Sequence, residues 1–179
     1  YDISSGKEPT KIEKEITYNV SVNEFGEGTG TVKINGVVYN NPVQVKKDTP
    51  VEVEIVPADD SEIVAVNIDG VDHPADKAKF TKTMSSITAD TMIEVEYAKK
   101  FHNITFNNVD LEFGKIKVDG KEITPKENTI SVQHGKEVSF TIEPNYKYHV
   151  ESVKIIDGQS TTDVKEENGY YIVTASMNV

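Results

Sequence analysis

The chain contains no cysteine and no tryptophan, and reading along it shows that all nineteen basic residues are lysine. The missing cysteine removes disulfides, thiol catalysis and cysteine-ligated zinc together. Without arginine there is no forked donor to grip a phosphate in two places, and thirty acidic residues bring the formal net charge to −11. Such a surface repels a polyanion, so nucleic acid is not expected as a partner. Leucine, ordinarily among the commonest residues, occurs once, as Leu111. No apolar run approaches the roughly 18 residues of a membrane-crossing helix. The first residue is Tyr1 and no signal-like apolar segment follows it, so the expectation is a processed or excised piece of a longer protein.

What replaces leucine is valine, isoleucine and threonine, which occur 23, 17 and 16 times. These β-branched side chains are stiff at their first torsion and pack well on a pleated sheet, whereas helices favour leucine, alanine and arginine. Alternation points the same way. Val43 and Val45, then Val51, Val53 and Ile55, place apolar groups on one face while Gln44, Glu52 and Glu54 point to the other. Similar stretches surround Tyr18, Val20 and Val22, and Ile104 and Phe106. Short strands separated by Gly, Pro, Asn and Asp recur throughout. The nearest approach to a helix is a single turn over Ala75–Phe80, after Pro74. At 179 residues, 36% hydrophobic and 27% charged, the chain has material for two small globular domains.

The chain also repeats itself. Asn19–Asn23 matches Asn103–Asn107 and Gly30–Gly36 matches Gly114–Gly120, both 84 residues apart. Val43–Val45 then meets Ile130–Val132, and Val51–Pro57 meets Val138–Pro144, 87 residues apart. Val66–Gly70 meets Val153–Gly158, which is one residue longer. Strand patterns kept while loops lengthen are what two copies of one fold produce. The expected organisation is an arm or linker over residues 1–16, a first module over 17–99 and a second over 100–179. If Met84–Ile87 aligns with Ser176–Val179, copy two has nothing that answers Thr88–Tyr97, a stretch with Ile93, Val95 and Tyr97 on one strand face. The plain reading is a processing boundary. The other is that something else fills the gap, for an unpaired strand edge invites aggregation unless covered.

The order of these elements resembles the internalin-type B-repeat family in divergent form, small modules repeated in bacterial surface proteins. The likeness rests on the alternating first strand, the glycine-containing turns (Gly26, Gly28, Gly30; Gly114) and the third segment ending at Pro57 or Pro144. It continues with the stretches ending at Gly70 and Gly158, the aromatic-threonine strands at Phe80 and Tyr170–Thr174, and Ile87–Thr91 leading to a closing strand. It covers both copies and leaves out the arm. The loops at Asp59–Ser61 and Tyr146–Tyr148 depart from the family pattern. The resemblance implies an extracellular, cell-surface, non-catalytic role as stalk, spacer or adhesive module, with no active site to carry over.

Residues able to do chemistry are few and scattered. His73, His102, His134 and His149 show no metal-binding spacing, although His134 and His149 share a copy and a sheet could bring them together. Asp59, Asp60 and Glu62 in one loop, with Asp69 and Asp72 in another, offer oxygen ligands suited to calcium, but the EF-hand spacing is absent. Tyr39, Tyr146, Tyr148, Tyr170 and Tyr171 are the available sugar-stacking rings, and read more simply as half-buried sheet aromatics. Gly26, Gly28 and Gly30 precede no helix and read as turn glycines. The sequons at Asn19 and Asn103 read as outward polar positions of strands. Lys33 and Lys117 are the lysines to consider for an isopeptide cross-link, with exposure as their default. The sequence therefore predicts no catalytic, cofactor or metal site; calcium at the acidic loops and zinc between His134 and His149 are the ions its residues could suit.

The expectation is an all-β protein: two tandem small antiparallel modules, sandwich or β-grasp-like, forming an elongated rod. Its expected function is structural and adhesive, with a surface protein or glycan as partner. One alternative is a filament subunit that self-associates by β-strand addition at the open edge of the second module. Another is an ancillary glycan-binding module of a secreted polysaccharide-degrading enzyme.

Overall fold

A computed structural model describes residues 14–179; the arm postulated over residues 1–16 falls mostly outside them. The chain divides into two compact units between Ala98 and Lys99. Both are built of strands, with no helix among the described residues, as the excess of β-branched side chains requires.

Unit 1 contains β1 (Thr17–Gly26), β2 (Gly30–Ile34), β3 (Val37–Val38), β4 (Val43–Lys46), β5 (Val51–Pro57), β6 (Ser61–Ile68), β7 (Val71–His73), β8 (Phe80–Met84) and β9 (Thr91–Lys99). They form two sheets, one ordered β4-β1-β9-β6-β7 and the other β3-β2-β5-β8. Alternation sorts the side chains: Val51, Val53 and Ile55 from one sheet meet Val20, Ile93, Val95 and Tyr97 from the other in a single buried core. This is a sandwich, not a β-grasp, which would pack a helix on its sheet. The module is not purely antiparallel, because β9 runs parallel to β1 from Val20↔Thr91 to Gly26↔Tyr97. The expected helical turn over Ala75–Phe80 is instead a tight reversal closed by an Asp76↔Lys79 bridge, with the Asp76 carboxylate accepting from the Ala78 amide at 2.8 Å. A short polar side chain that captures a nearby amide favours a turn over a helix.

Unit 2 contains β10 (Phe101–Thr105), β11 (Gly114–Val118), β12 (Lys121–Ile123), β13 (Thr129–Gln133), β14 (Glu137–Pro144), β15 (Lys154–Ile156), β16 (Thr161–Asp163) and β17 (Tyr171–Thr174). The sheet β12-β11-β14-β17 reproduces β3-β2-β5-β8 of unit 1. Its first hairpin turns at Asp119-Gly120 as the unit 1 hairpin turns at Asn35-Gly36, with positive φ at all four residues. That pairing suits the primed two-residue turns, whose twist matches that of the flanking strands. The opposite sheet is not reproduced. It survives as two separate pairs, β10-β13 and β15-β16.

Candidate functional site

The residues that the sequence put forward for chemistry are mostly dispersed. Asp59, Asp60 and Glu62 sit where β6 begins, whereas Asp69 and Asp72 sit beyond its other end, eight residues away along an extended strand. That distance, about 25 Å, separates the two halves of the envisaged calcium site. The carboxylates serve locally: Asp60 accepts from the Ser61 hydroxyl, Asp69 from the Met92 amide, Asp72 from the Asn67 side chain, and Glu62 pairs with Lys77. Among the described residues no group of three or more His, Asp or Glu could hold a metal.

His134 does not meet His149. Its partner is His102 on β10, with Nε2 of His102 and Nδ1 of His134 2.9 Å apart and the rings tilted at 53°. One ring donates and the other accepts, an arrangement set by the antiparallel register Phe101↔Gln133 that draws the next residue alongside. Lys33 lies opposite Glu54 on the neighbouring strand and bonds it at 3.1 Å, while Lys117 bonds Glu143. Asn19 and Asn103 are exposed, as outward strand positions should be. Tyr171 is buried against Phe140, whereas Tyr146 is 90% exposed and carries Lys147 over its ring. Tyr148 meets Phe113 edge to face.

The glycines at 26, 28 and 30 have a tertiary role that the sequence reading missed. A Cβ at Gly26 would stand 2.1 Å from the Tyr97 carbonyl oxygen, one at Gly28 2.8 Å from the Tyr97 Cβ, and one at Gly30 2.6 Å from its ring. Together they form a cradle for the last core residue of β9. The Tyr97 hydroxyl donates to Glu24 Oε1 at 3.0 Å. Burial, with the Glu24 carboxylate adding to it, holds that hydroxyl well above the usual tyrosine range.

Unit 2 holds a cleft of about 600 Å³ walled by Phe106, Phe140, Ile142, Val153, Ile155 and Val179 among others. Its origin follows from aligning the backbones. Ala175 exchanges hydrogen bonds with Gly135 and Lys136 as Ile87 does with Asp48 and Thr49. Asn178 accepts from the Asn103 amide at 2.7 Å as Asp90 accepts from the Asn19 amide at 2.8 Å. Val179 is thus the counterpart of Thr91, and it bonds β10 on both sides, donating to the Asn103 carbonyl and accepting from the Thr105 amide. The alignment of Ile87 with Val179 expected from sequence is therefore corrected by four residues: Ile87 answers to Ala175, and Asn178 and Val179 repeat the lead-in and first residue of the closing strand.

The cleft lies where β9 lies in unit 1. There Ile63, Val66 and Ile68 are buried; their counterparts 87 positions on, Val150, Val153 and Ile155, are only half-buried. Strand lengths follow. β1 has ten residues and β6 eight, whereas β10 has five and β15 three. Compared with protein-family models, with curated proteins and with solved structures, the chain matches none.

Proposed function

We propose that the chain is a non-catalytic tandem-repeat region of a bacterial surface protein, a stalk or spacer that also presents adhesive surface outside the cell. The observation that carries this reading is the repetition itself. Two units share one four-stranded sheet in one register and the same lead-in hydrogen bonds, and each has a hydrophobic core made only of its own residues. Modules whose cores share no residue can be added in series, which is how length is built from repeats. The resemblance to B-repeat modules supports the bacterial-surface setting. The arginine-free surface with its net charge of −11 suits crowded molecules that must repel one another.

The test is a series of chains carrying one, two and four copies, measured by small-angle scattering. A spacer gives a maximum dimension that rises by a constant step per copy. A dimension that grows only as the cube root of mass rejects the stalk reading. A glycan array probed with the same chains separates an adhesive or glycan-binding role, which gives saturable binding, from a purely spacing one.

A further inference from the structure

His102 and His134 meet across β10 and β13 through His102 Nε2 and His134 Nδ1, 2.9 Å apart. Sheet register brings them together. His102 alternates with the buried Ile104 along β10, and the His134 amide, one residue past β13, donates to the Lys100 carbonyl at 2.8 Å. Unit 1 forms the same rung, also at 2.8 Å, from the Lys47 amide to the Ile16 carbonyl, and there the two positions hold Tyr18 and Lys47. The backbone therefore does not require imidazoles at this place. We propose that the pair is a binding site for one divalent transition-metal ion of the copper(II) or nickel(II) type, held by His102 Nε2 and His134 Nδ1 with water at its other positions.

Three observations specify the ion. The first is spacing. Two imidazole nitrogens that bind one ion at about 2.0–2.1 Å stand about 2.9 Å apart when they subtend a right angle, and about 3.3 Å apart when they subtend a tetrahedral one. The separation found is the right-angled one, which is the angle of tetragonal copper(II) and nickel(II) sites. The second is the donor set. With no cysteine in the chain there is no thiolate to favour a softer ion, and imidazole nitrogen suits copper and nickel. The third is the surroundings. Both rings are half-buried, and Val132, directly opposite His102, packs against the unit 2 core, so one side of the pair is held by apolar neighbours while the other meets water. Among the described residues no third His, Asp or Glu joins them. The ion therefore keeps open positions and exchanges, unlike the closed set of a structural site.

Proton bookkeeping permits the exchange. In the neutral pair one of the two facing nitrogens carries the proton that joins the rings. Moving that proton to the other nitrogen of the same ring changes the tautomer and not the charge, and it leaves both facing lone pairs to the ion. β10 and β13 form a two-stranded pair of their own, so an ion that joins the start of one to the end of the other adds a crosslink to that pair. This inference does not rest on the stalk reading, and its failure leaves that reading standing.

The experiment titrates Cu2+ into the full chain in a buffer that does not coordinate copper, followed by calorimetry, electron paramagnetic resonance and amide spectra. One ion per chain is expected at the tightest site, with the resonance of a copper centre bound by two imidazole nitrogens. The amides of His102 and His134 should broaden before those of His73 and His149. His102→Tyr and His134→Lys install the residues that unit 1 carries on the same rung, so the fold is kept, and each alone should weaken binding about tenfold or more by removing one arm of the chelate. His149→Gln should leave it unchanged. Binding should weaken on acidification, because protons compete for the same lone pairs. Cu2+ at ten times its Kd should raise the melting temperature of unit 2 by about 5 °C and leave unit 1 unmoved. Binding as tight in His102→Tyr or His134→Lys as in the native chain overturns the proposal, as does a copper centre with a single imidazole or first broadening at His73 or His149, since the ion is then adventitious. Absence of binding at about 1 mM Cu2+ overturns it as well.

Discussion

Tyr97 shows how much one side chain determines here. Its ring fills the end of the unit 1 core, its hydroxyl is tied to Glu24, and the chain facing it carries glycine at alternate positions because any Cβ would collide. Gly30→Ala should therefore destabilise unit 1 by about 1–3 kcal/mol through overpacking. Gly26→Ala should cost at least as much, since its φ of 98° adds backbone strain to the collision. Urea denaturation followed by a unit 1 probe measures both, and neither substitution should move unit 2. The hydroxyl makes a separate prediction about pH. Because its folded pKa is raised, the folded state holds this proton more tightly than the unfolded chain does. Its contribution is fully present below the unfolded value of about 10 and is lost as pH climbs beyond that. Unit 1 should thus weaken between about pH 10 and 12 by more than the other tyrosines account for. Tyr97→Phe should remove that excess and cost about 1 kcal/mol at neutral pH for the lost hydrogen bond.

At the level of the strand, the contrast between β9 and its absence is the informative comparison. Ile93→Ala should cost unit 1 about 2–5 kcal/mol, because the residue is fully enclosed and its neighbours cannot collapse into the void. Unit 2 already has the larger version of that void, so its amides should exchange with solvent faster than their counterparts. The sharpest difference is expected between Val66–Ile68, held in an eight-residue strand, and Val153–Ile155, which straddles the start of the three-residue β15. Hydrogen exchange read residue by residue checks this: equal protection at the two positions would mean that β15 gains nothing from a closing neighbour. Here too lies the division between what the sequence reveals and what it hides. Strand identity and the repeat are legible because alternation is a local signal; the Asn35-Gly36 and Asp119-Gly120 turns carry an equally local signal that the sequence reading did not use. The Ile87 to Ala175 equivalence was not legible, since it rests on backbone bonds to Asp48 and Gly135 and not on side-chain likeness. Nor were the glycine cradle and the His102–His134 contact, each of which joins residues more than 30 positions apart through sheet register.

For the whole molecule, the two cores decide how it unfolds. The unit 1 cluster and the unit 2 cluster share no residue, and among the described residues the second sheet of unit 2 is two separate pairs, β10-β13 and β15-β16, with an open cleft beside them. Burial scales with enclosed apolar surface, so the unit with the open cleft has the smaller driving force per residue. The chain should therefore unfold in two steps with unit 2 first, and calorimetry should return a van't Hoff enthalpy well below the calorimetric one when a single transition is forced on the trace. Ile93→Ala provides the internal control. It should lower the later transition towards the earlier one and leave the earlier where it was, because substitutions with no shared neighbours act independently. If instead both steps move together, the units stabilise one another, and modules that depend on a neighbour in this way do not add length by simple repetition. The melting experiment thus bears on function as well as on stability: independent steps are what a spacer assembled from self-sufficient copies requires.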